Sequence, residues 1–321
     1  MQVVRTRESR AGASTPSPRP RSSRRQAFAG TGESRPTGGS ATLRPYNARS
    51  PAQPRAPGKH HVDDLISTIL LGIIEGITEF LPISSTGHLL IAERWLGRRS
   101  DLFNIVIQAG AILAVVLIYR ERLWRLATGL RERTQRDYAL KLAYAFLVTC
   151  VLGLVAVQFG FELPESTTPI AWALVIGGFW MLGAEWLAAR RPEHTTISWN
   201  AALLVGIAQA VAGVFPGTSR SAATIFIAML AGTGNRAAAT EFAFLVGIPT
   251  MFAASAYELA KTARSGAAHE DWGALGIGFV VSAVTAFVAV RWLLGYIRTH
   301  RFTPFAIYRI VFGLILLGLP D

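Results

Sequence analysis

Long apolar stretches separated by short polar segments run through the chain from residue 65 onward. A helix needs about 20 residues to cross the roughly 30 Å hydrocarbon core of a bilayer, and six stretches approach that length. They are residues 102–119, 139–160, 169–189, 241–260, 273–296 and 303–319. The pattern therefore predicts an all-α polytopic membrane protein with six or more transmembrane helices.

Two further apolar regions, residues 65–96 and 200–232, are each interrupted near the middle by proline, glycine and hydroxyl residues. Proline lacks the backbone N–H and clashes with the preceding helical turn, so Pro82 and Pro216 should each end a helix. The chain becomes apolar again a few residues later. We therefore predict two broken, re-entrant helix-loop-helix segments in addition to the full crossings.

The two broken regions resemble each other. A shift of 134 residues aligns LLGIIEGITEFLPISST (70–86) with LVGIAQAVAGVFPGTSR (204–220). The matched pairs are Gly72 with Gly206, Ile73 with Ile207, Glu75 with Gln209, Pro82 with Pro216, and Ser85 with Ser219. Many membrane proteins contain such internal repeats, whose discontinuous helices meet near mid-membrane. We predict two repeat halves, at about residues 62–190 and 191–321.

The placement of arginine orients the predicted helices, because cytoplasmic loops are enriched in Lys and Arg. Six arginines lie between residues 120 and 137, and Arg190 and Arg191 form a second basic turn. The intervening turn contains Glu162 and Glu165 and no basic residue. With the basic segments inside and the acidic turn outside, the two broken regions enter from opposite faces. The repeat should therefore have inverted topology.

The first 61 residues differ in composition from the rest. Residues 1–60 hold 12 of the 32 Lys and Arg, two acids and 8 of the 16 prolines, so +10 of the formal net charge of +12 lies there. Without apolar periodicity they cannot offset the entropy of ordering, and we predict a disordered basic tail. Its Arg- and Ser-rich, acid-poor composition is loosely similar to a transit peptide, a start codon placed upstream of the natural one is an equal alternative, and its presence in the mature protein stays open. The remaining chain, the predicted membrane domain at residues 62–321, has no basic surface interleaved with aromatic residues, which excludes nucleic-acid binding.

Two carboxylates lie in the first broken region. Glu75 and Glu79 are four residues apart and therefore share one face of a helix, within a segment as apolar as a transmembrane span. An ionisable group at that depth costs at least about 2.5 kcal/mol, which favours a functional site facing a polar cavity. A structural interpretation, with the pair protonated or bonded to neighbouring helices, stays open. Gly72 and Gly76 have the small-xxx-small spacing of close helix packing.

Hydroxyl residues follow each proline and suit the N-terminus of a returning half-helix. Such an N-terminus presents free N–H groups and partial positive charge, which bind anions, and Arg220 adds a bidentate fork. The predicted phosphate-binding residues are Ser84, Thr86, Thr218, Ser219, Ser221 and Thr224. A divalent cation, Mg²⁺ or Ca²⁺, held by Glu75 and Glu79 would offset the repulsion between these acids and a phosphate.

The motifs EGITE (75–79), PISSTGH (82–88) and PGTSRSAAT (216–224) together resemble the undecaprenyl-diphosphate phosphatase family, also called the bacitracin-resistance phosphatases. The resemblance extends from about Asp63 to the C-terminus. It implies an integral membrane enzyme that removes the terminal phosphate of undecaprenyl diphosphate, a polyprenyl diphosphate lipid, at the outer side of the bacterial inner (cytoplasmic) membrane. Such an enzyme recycles the lipid carrier for cell-wall synthesis and gives bacitracin resistance.

The same resemblance implies that the catalytic residues are Glu75, Glu79, Ser85, His88 and Arg220. It is compatible with a homodimer. For the mechanism, two alternatives stay open: Ser85 is the nucleophile with His88 as base or leaving-group acid, or His88 itself takes the phosphoryl group.

Two other classes of protein share some of these features. An inverted repeat with broken helices also suits a transporter or flippase of a lipid phosphate or a small anion. PISSTGH is faintly similar to the PSGH signature of membrane-embedded histidine phosphatases. That class needs a second histidine after an arginine motif, and none follows Arg220 before His269.

Overall fold

The computed structural model describes residues 60–159, 167–264 and 271–318. Within these ranges the chain forms eleven α-helices and no β-strand. The helices are α1 (His60–Thr78), α2 (Ser85–Leu96), α3 (Asp101–Ile118), α4 (Arg120–Thr128), α5 (Arg133–Gln158), α6 (Thr167–Ala188), α7 (Trp199–Val214), α8 (Arg220–Leu230), α9 (Arg236–Arg264), α10 (Trp272–Tyr296) and α11 (Thr303–Leu317). The predicted tail lies almost entirely outside the described residues, as does the acidic turn with Glu162 and Glu165.

Five helices are long and apolar enough to cross a bilayer, namely α3, α5, α6, α9 and α10. They confirm five of the six predicted crossings. The sixth predicted crossing, α11, is a shorter apolar helix of 15 residues, about 22 Å long at 1.5 Å per residue. It begins only after Phe302 and ends before Gly318. Large apolar side chains lie on the outside, with Ile176 62% and Val288 64% exposed, as expected of a surface in contact with lipid. The chain is a multi-pass membrane protein.

Both predicted broken segments are present. Pro82 lies in the turn between α1 and α2, and Pro216 lies in the turn between α7 and α8. Helices α1 and α7 therefore end within four residues of the proline that follows them, and the shorter helices α2 and α8 begin a few residues beyond it.

The two halves form an inverted repeat, in which α1, α2, α3, α5 and α6 correspond to α7–α11. Helix α1 packs against α10, and its counterpart α7 packs against α5, the counterpart of α10. Gly178 of α6 contacts Ala306 of α11, and Gly313 of α11 contacts Ala171 of α6. This reciprocal contact makes α6 antiparallel to its own counterpart. This pair of corresponding helices thus runs in opposite directions, as the arginine pattern predicts.

The correspondence between the halves slips by one residue after the prolines. Ser84 and Ser219 have positive φ angles of 74° and 66°, and each directly precedes its returning helix. Ser84 is therefore equivalent to Ser219, and Ser85 to Arg220. The predicted pairing of Ser85 with Ser219 is wrong, because the second turn contains one additional residue.

Helix α1 packs closely on α10 through its glycines. A Cβ atom at Gly76 would lie 2.5 Å from the Ser282 carbonyl oxygen and 2.8 Å from the Ala286 nitrogen, and one at Gly72 would lie 3.0 Å from the Gly278 carbonyl oxygen. A side chain at Gly76 would collide with the backbone of α10, and one at Gly72 would be tightly packed against it. The packing role predicted for these glycines is confirmed.

We expect Gly76→Ala to destabilise the protein by about 1–3 kcal/mol, the usual range for overpacking, since neither contacting backbone atom can move without displacing α10. Gly183→Ala is a matched control, because nothing lies within 4 Å of its Cβ position and alanine favours helix. The measurement is the midpoint of thermal unfolding in detergent. Equal midpoints for the two variants would contradict the packing role.

Candidate active site

The turns of the two broken segments are tied to each other. Ser221 donates a hydrogen bond of 2.9 Å from its hydroxyl to the carbonyl oxygen of Leu81 in the first turn. The hydroxyls of Ser219 and Ser221 lie 3.2 Å apart. This cross-link brings the first turns of α2 and α8 to one site.

Both returning helices begin after a serine in the left-handed region of φ, which non-glycine residues rarely adopt. Such a backbone costs of order 1–3 kcal/mol and persists only where the surrounding structure imposes it. The Ser219 hydroxyl accepts a hydrogen bond of 3.3 Å from the Ala222 N–H, so it caps α8 as predicted. Ser84 makes no side-chain cap hydrogen bond, and in the first copy the predicted cap is absent.

Arg309 of α11 holds the second turn from behind. Its side chain is fully buried, and it donates to the carbonyl oxygens of Thr218 at 3.0 Å and Gly217 at 2.9 Å. A third bond, of 3.2 Å, reaches the carbonyl oxygen of Ala173. These three hydrogen bonds from the Arg309 guanidinium hold the backbone just before Arg220 in place.

Glu79 lies at the centre of the site and joins the two repeat halves. Its side chain is 5% exposed. Arg220 Nη2 donates to Glu79 Oε1 at 3.0 Å, and Ser85 Oγ donates to Glu79 Oε2 at 2.5 Å. Ser85 is the first residue of α2 and Arg220 the first residue of α8. Two equivalent positions of the repeat therefore supply the two donors for one carboxylate.

The structure leaves room for the Arg220 side chain where α9 passes it. A Cβ atom at Gly247 would collide with Arg220 Nη1. On another side the guanidinium carbon lies 5.8 Å from the centroid of the Phe80 ring, within the range of a cation–π interaction. The guanidinium is thus held in position for Glu79 and for an anion beside it.

Glu75 is more deeply buried, with 1% of its surface exposed. Glu79 follows one helical turn later, since its N–H donates to the Glu75 carbonyl oxygen at 2.9 Å, and the Glu75 Oε2 atom has no hydrogen-bond partner among the described residues. Two adjacent carboxyl groups repel each other unless a proton or a cation lies between them. A proton or a cation at the orphaned oxygen would therefore relieve this repulsion.

A chamber of about 190 Å³ opens beside Glu79. Its polar lining consists of Glu79, Ser84, Ser85, Thr86, Gln108, Ser219 and Arg220. Three of the six predicted phosphate-binding residues, Ser84, Thr86 and Ser219, line it. The hydroxyls of Ser221 and Thr224 instead bond to backbone carbonyls, at 2.9 and 2.8 Å.

His88 is turned away from this chamber and toward α11. Its Nδ1 lies 2.7 Å from the carbonyl oxygen of Ser84 and its Nε2 lies 2.7 Å from the hydroxyl of Tyr308. A carbonyl only accepts, so the Nδ1 atom donates and the neutral ring's Nε2 accepts from the phenol. The ring also stacks on Phe312 at 4.4 Å. The group that contacts the Ser85 hydroxyl is Glu79, and the predicted pairing of Ser85 with His88 is not present.

Three residues near the site are not predicted from the sequence. Arg309 is a charged residue within an apolar stretch, and Gln108 is an amide within an apolar helix; both are anomalies that could have marked them. The sequence gives no comparable signal for Gly247, because its role depends on which side chain packs against α9 at that position.

These features define a class: a multi-pass membrane protein with an inverted repeat, whose broken helices hold a buried carboxylate, serine and arginine beside a polar chamber. Residues 68–315 match the family described as "Bacitracin resistance protein BacA". Relatives named "Undecaprenyl-diphosphatase" are 72% identical in Rhizobium johnstonii, 71% in Rhizobium etli and 62% in Xanthomonas axonopodis pv. citri. Each alignment spans 257 residues, which are 80% of this chain and 97% of the relative. The chain belongs to the BacA family of bacitracin resistance proteins.

Proposed function

We propose that this protein is an integral membrane phosphatase that hydrolyses undecaprenyl diphosphate to undecaprenyl phosphate and inorganic phosphate. The observation that carries the proposal is Glu79, which accepts hydrogen bonds from the Ser85 hydroxyl and the Arg220 guanidinium in one buried chamber. Phosphoryl transfer is promoted by a base that is hydrogen-bonded to the nucleophile and by a fixed positive charge, here the guanidinium, beside them. The identity of the substrate is inferred from the relatives, which are named undecaprenyl-diphosphatase.

In the proposed first step, Ser85 Oγ attacks the terminal phosphorus while its proton passes to Glu79. The bond from that phosphorus to the bridging oxygen breaks, and the lipid leaves as the monophosphate. In the second step water attacks the phosphorus of the phosphoserine, the bond from that phosphorus to Ser85 Oγ breaks, Oγ regains the proton held by Glu79, and the water protons leave on the inorganic phosphate. The hydrogen bond of 2.5 Å between Ser85 and Glu79 places the acceptor for the proton before the substrate binds.

The negative charge of the transferred phosphoryl group would be stabilised by fixed donors. Arg220 provides two parallel N–H groups, and the first turns of α2 and α8 provide backbone N–H groups and partial positive charge. The chamber hydroxyls of Ser84, Thr86 and Ser219 complete the set. His88 would position the first turn through the Ser84 carbonyl, in place of the base role predicted for it.

A divalent cation, Mg²⁺ or Ca²⁺, fits the acidic side of this site. Among the described residues no group of three or more His, Cys, Asp or Glu is arranged to hold a metal ion. Mg²⁺ commonly takes only one or two carboxylates and completes its shell with phosphate oxygens and water. Glu75 and Glu79 would supply these carboxylates, with the orphaned Glu75 oxygen as one ligand. When bound, the cation would neutralise phosphate charge.

We place the protein in the bacterial inner membrane with the chamber opening to the outer side. The six arginines between residues 120 and 137 support this orientation through the positive-inside rule. There the enzyme would recycle the lipid carrier for cell-wall synthesis. It would also give bacitracin resistance, since the antibiotic sequesters the diphosphate that the enzyme removes.

Glu79→Ala and Arg220→Ala should each reduce phosphate release from a polyprenyl diphosphate by about a hundredfold or more, because one removes the base and the other the anion-binding cation. Glu132→Ala and Arg133→Ala are matched controls at exposed positions. The measurement is phosphate release by purified protein. Full activity in both site variants would end the proposal, and lipid transfer across vesicles without phosphate release would favour a flippase.

A phosphorylated intermediate, trapped by rapid quenching with labelled substrate, should be stable in acid because the label is on a serine. Ser85→Ala should trap none. An acid-labile label that survives in Ser85→Ala but not in His88→Ala would assign the nucleophile to His88 instead.

Removal of divalent cations with EDTA should abolish phosphate release, and Mg²⁺ or Ca²⁺ should restore it. Glu75→Gln should raise the cation concentration for half-maximal activity by about tenfold or more, in line with the effect of weakening a metal site. Glu121→Gln, at an exposed position, is the control. Undiminished activity in EDTA would exclude the cation.

A further inference from the structure

The polar residues of α3 form a stripe along one face of an otherwise apolar helix. This 18-residue helix has a mean hydropathy of 2.2, and its polar side chains are Asp101, Asn104 and Gln108. Spacings of three and four residues place all three on the same face. Polar groups at membrane depth are costly and usually mark a functional surface.

The stripe lines a second chamber that adjoins the first. This chamber has a volume of about 390 Å³. Its polar lining includes Glu75, Arg98, Asp101, Asn104 and Gln108, and its apolar lining consists of Leu89, Leu90, Ile105 and Ile170, with Pro216. A cavity with polar and apolar walls suits a molecule with a charged group at one end and hydrocarbon at the other.

Gln108 stands where the two chambers join. Four residues line both chambers, namely Ser85, Thr86, Gln108 and Pro216. Of these, only Gln108 comes from outside the two broken segments, so it forms the opposite wall. Gln108 therefore brings an amide to the junction from the wall that the broken segments do not form.

The Gln108 amide has no hydrogen-bond partner among the described residues, although the side chain is half-buried. The neighbouring Asn104 has a partner for its nitrogen only: Asn104 Nδ2 donates to Glu93 Oε1 at 2.9 Å, and its buried Oδ1 has no partner among the described residues. Neither amide atom of Gln108 is among the buried side-chain atoms that lack a partner, so the amide stays accessible from the chambers. A ligand that accepts a hydrogen bond at the junction would therefore meet an amide that no described side chain or backbone group occupies.

We propose that Gln108 is a substrate-binding residue whose amide donates to the phosphate that remains on the lipid. This inference rests on the proposed function. With the terminal phosphate at Ser85 and Arg220, the next phosphate must lie toward the second chamber, whose apolar wall receives the first isoprene units. Gln108 thereby holds the leaving group and favours a lipid diphosphate over a lipid monophosphate, which cannot fill both positions.

The test uses the full chain in detergent with farnesyl diphosphate as a short polyprenyl diphosphate. Gln108→Leu should lower kcat/KM about 10- to 100-fold, the effect of losing a hydrogen bond to a charged group. Inhibition by farnesyl monophosphate should weaken by a similar factor, while inhibition by inorganic phosphate stays unchanged. Gln158→Leu is a matched control, since Gln158 is exposed on α5.

Gln108→Asn keeps an amide on a side chain that is shorter by one methylene, so kcat/KM should again fall. This variant provides a second test if the leucine variant folds poorly. A kcat/KM within twofold of the wild type in Gln108→Asn or in a folded Gln108→Leu would overturn the inference. So would weaker inhibition by inorganic phosphate alone, which would place the amide on the terminal phosphate. A wild-type protein that releases no phosphate would instead refute the proposed function.

Discussion

Glu79 is a carboxylate buried at membrane depth, and it receives hydrogen-bond donors from both halves of the repeat. Arg220 reaches it from one broken helix and Ser85 from the other. This contact requires the two turns to meet, the α8 turn to be held by Arg309, and α9 to carry no side chain at Gly247. The packing of the inverted repeat therefore determines the chemistry of the site.

The repeat is symmetric in backbone and asymmetric in chemistry. Ser85 and Arg220 occupy equivalent positions, yet one is suited to attack and the other to bind an anion. Glu75 is equivalent to Gln209, whose amide donates to Thr149 at 3.3 Å and Thr250 at 2.8 Å. A carboxylate in place of Gln209 would add a negative charge that the second half does not use. One half thus supplies the acids and the proposed nucleophile, and the other supplies the arginine.

Much of this fold follows from the sequence, because apolar length and proline placement are local signals. The two broken segments, five crossings and the convergence of Glu79 with Arg220 are predicted from such signals. The one-residue slip between the turns is not, since it depends on which serine adopts positive φ. The direction of His88 is not predicted either: on α2 it could face Ser85 or α11, and only the packing of Tyr308 and Phe312 decides.

A buried carboxylate does not by itself identify a site in this protein. Glu185 of α6 is also buried, at 3% exposure. It accepts from Arg236 at 3.0 Å, from the Phe302 N–H at 3.0 Å and from the Thr303 hydroxyl at 3.2 Å, so its oxygens are satisfied within the fold and it ties α6, α9 and the start of α11 together. Glu75 keeps an oxygen without a partner, and Glu79 faces a polar chamber. The capacity left for a ligand, more than burial or charge, separates the carboxylates of the proposed active site from the structural one.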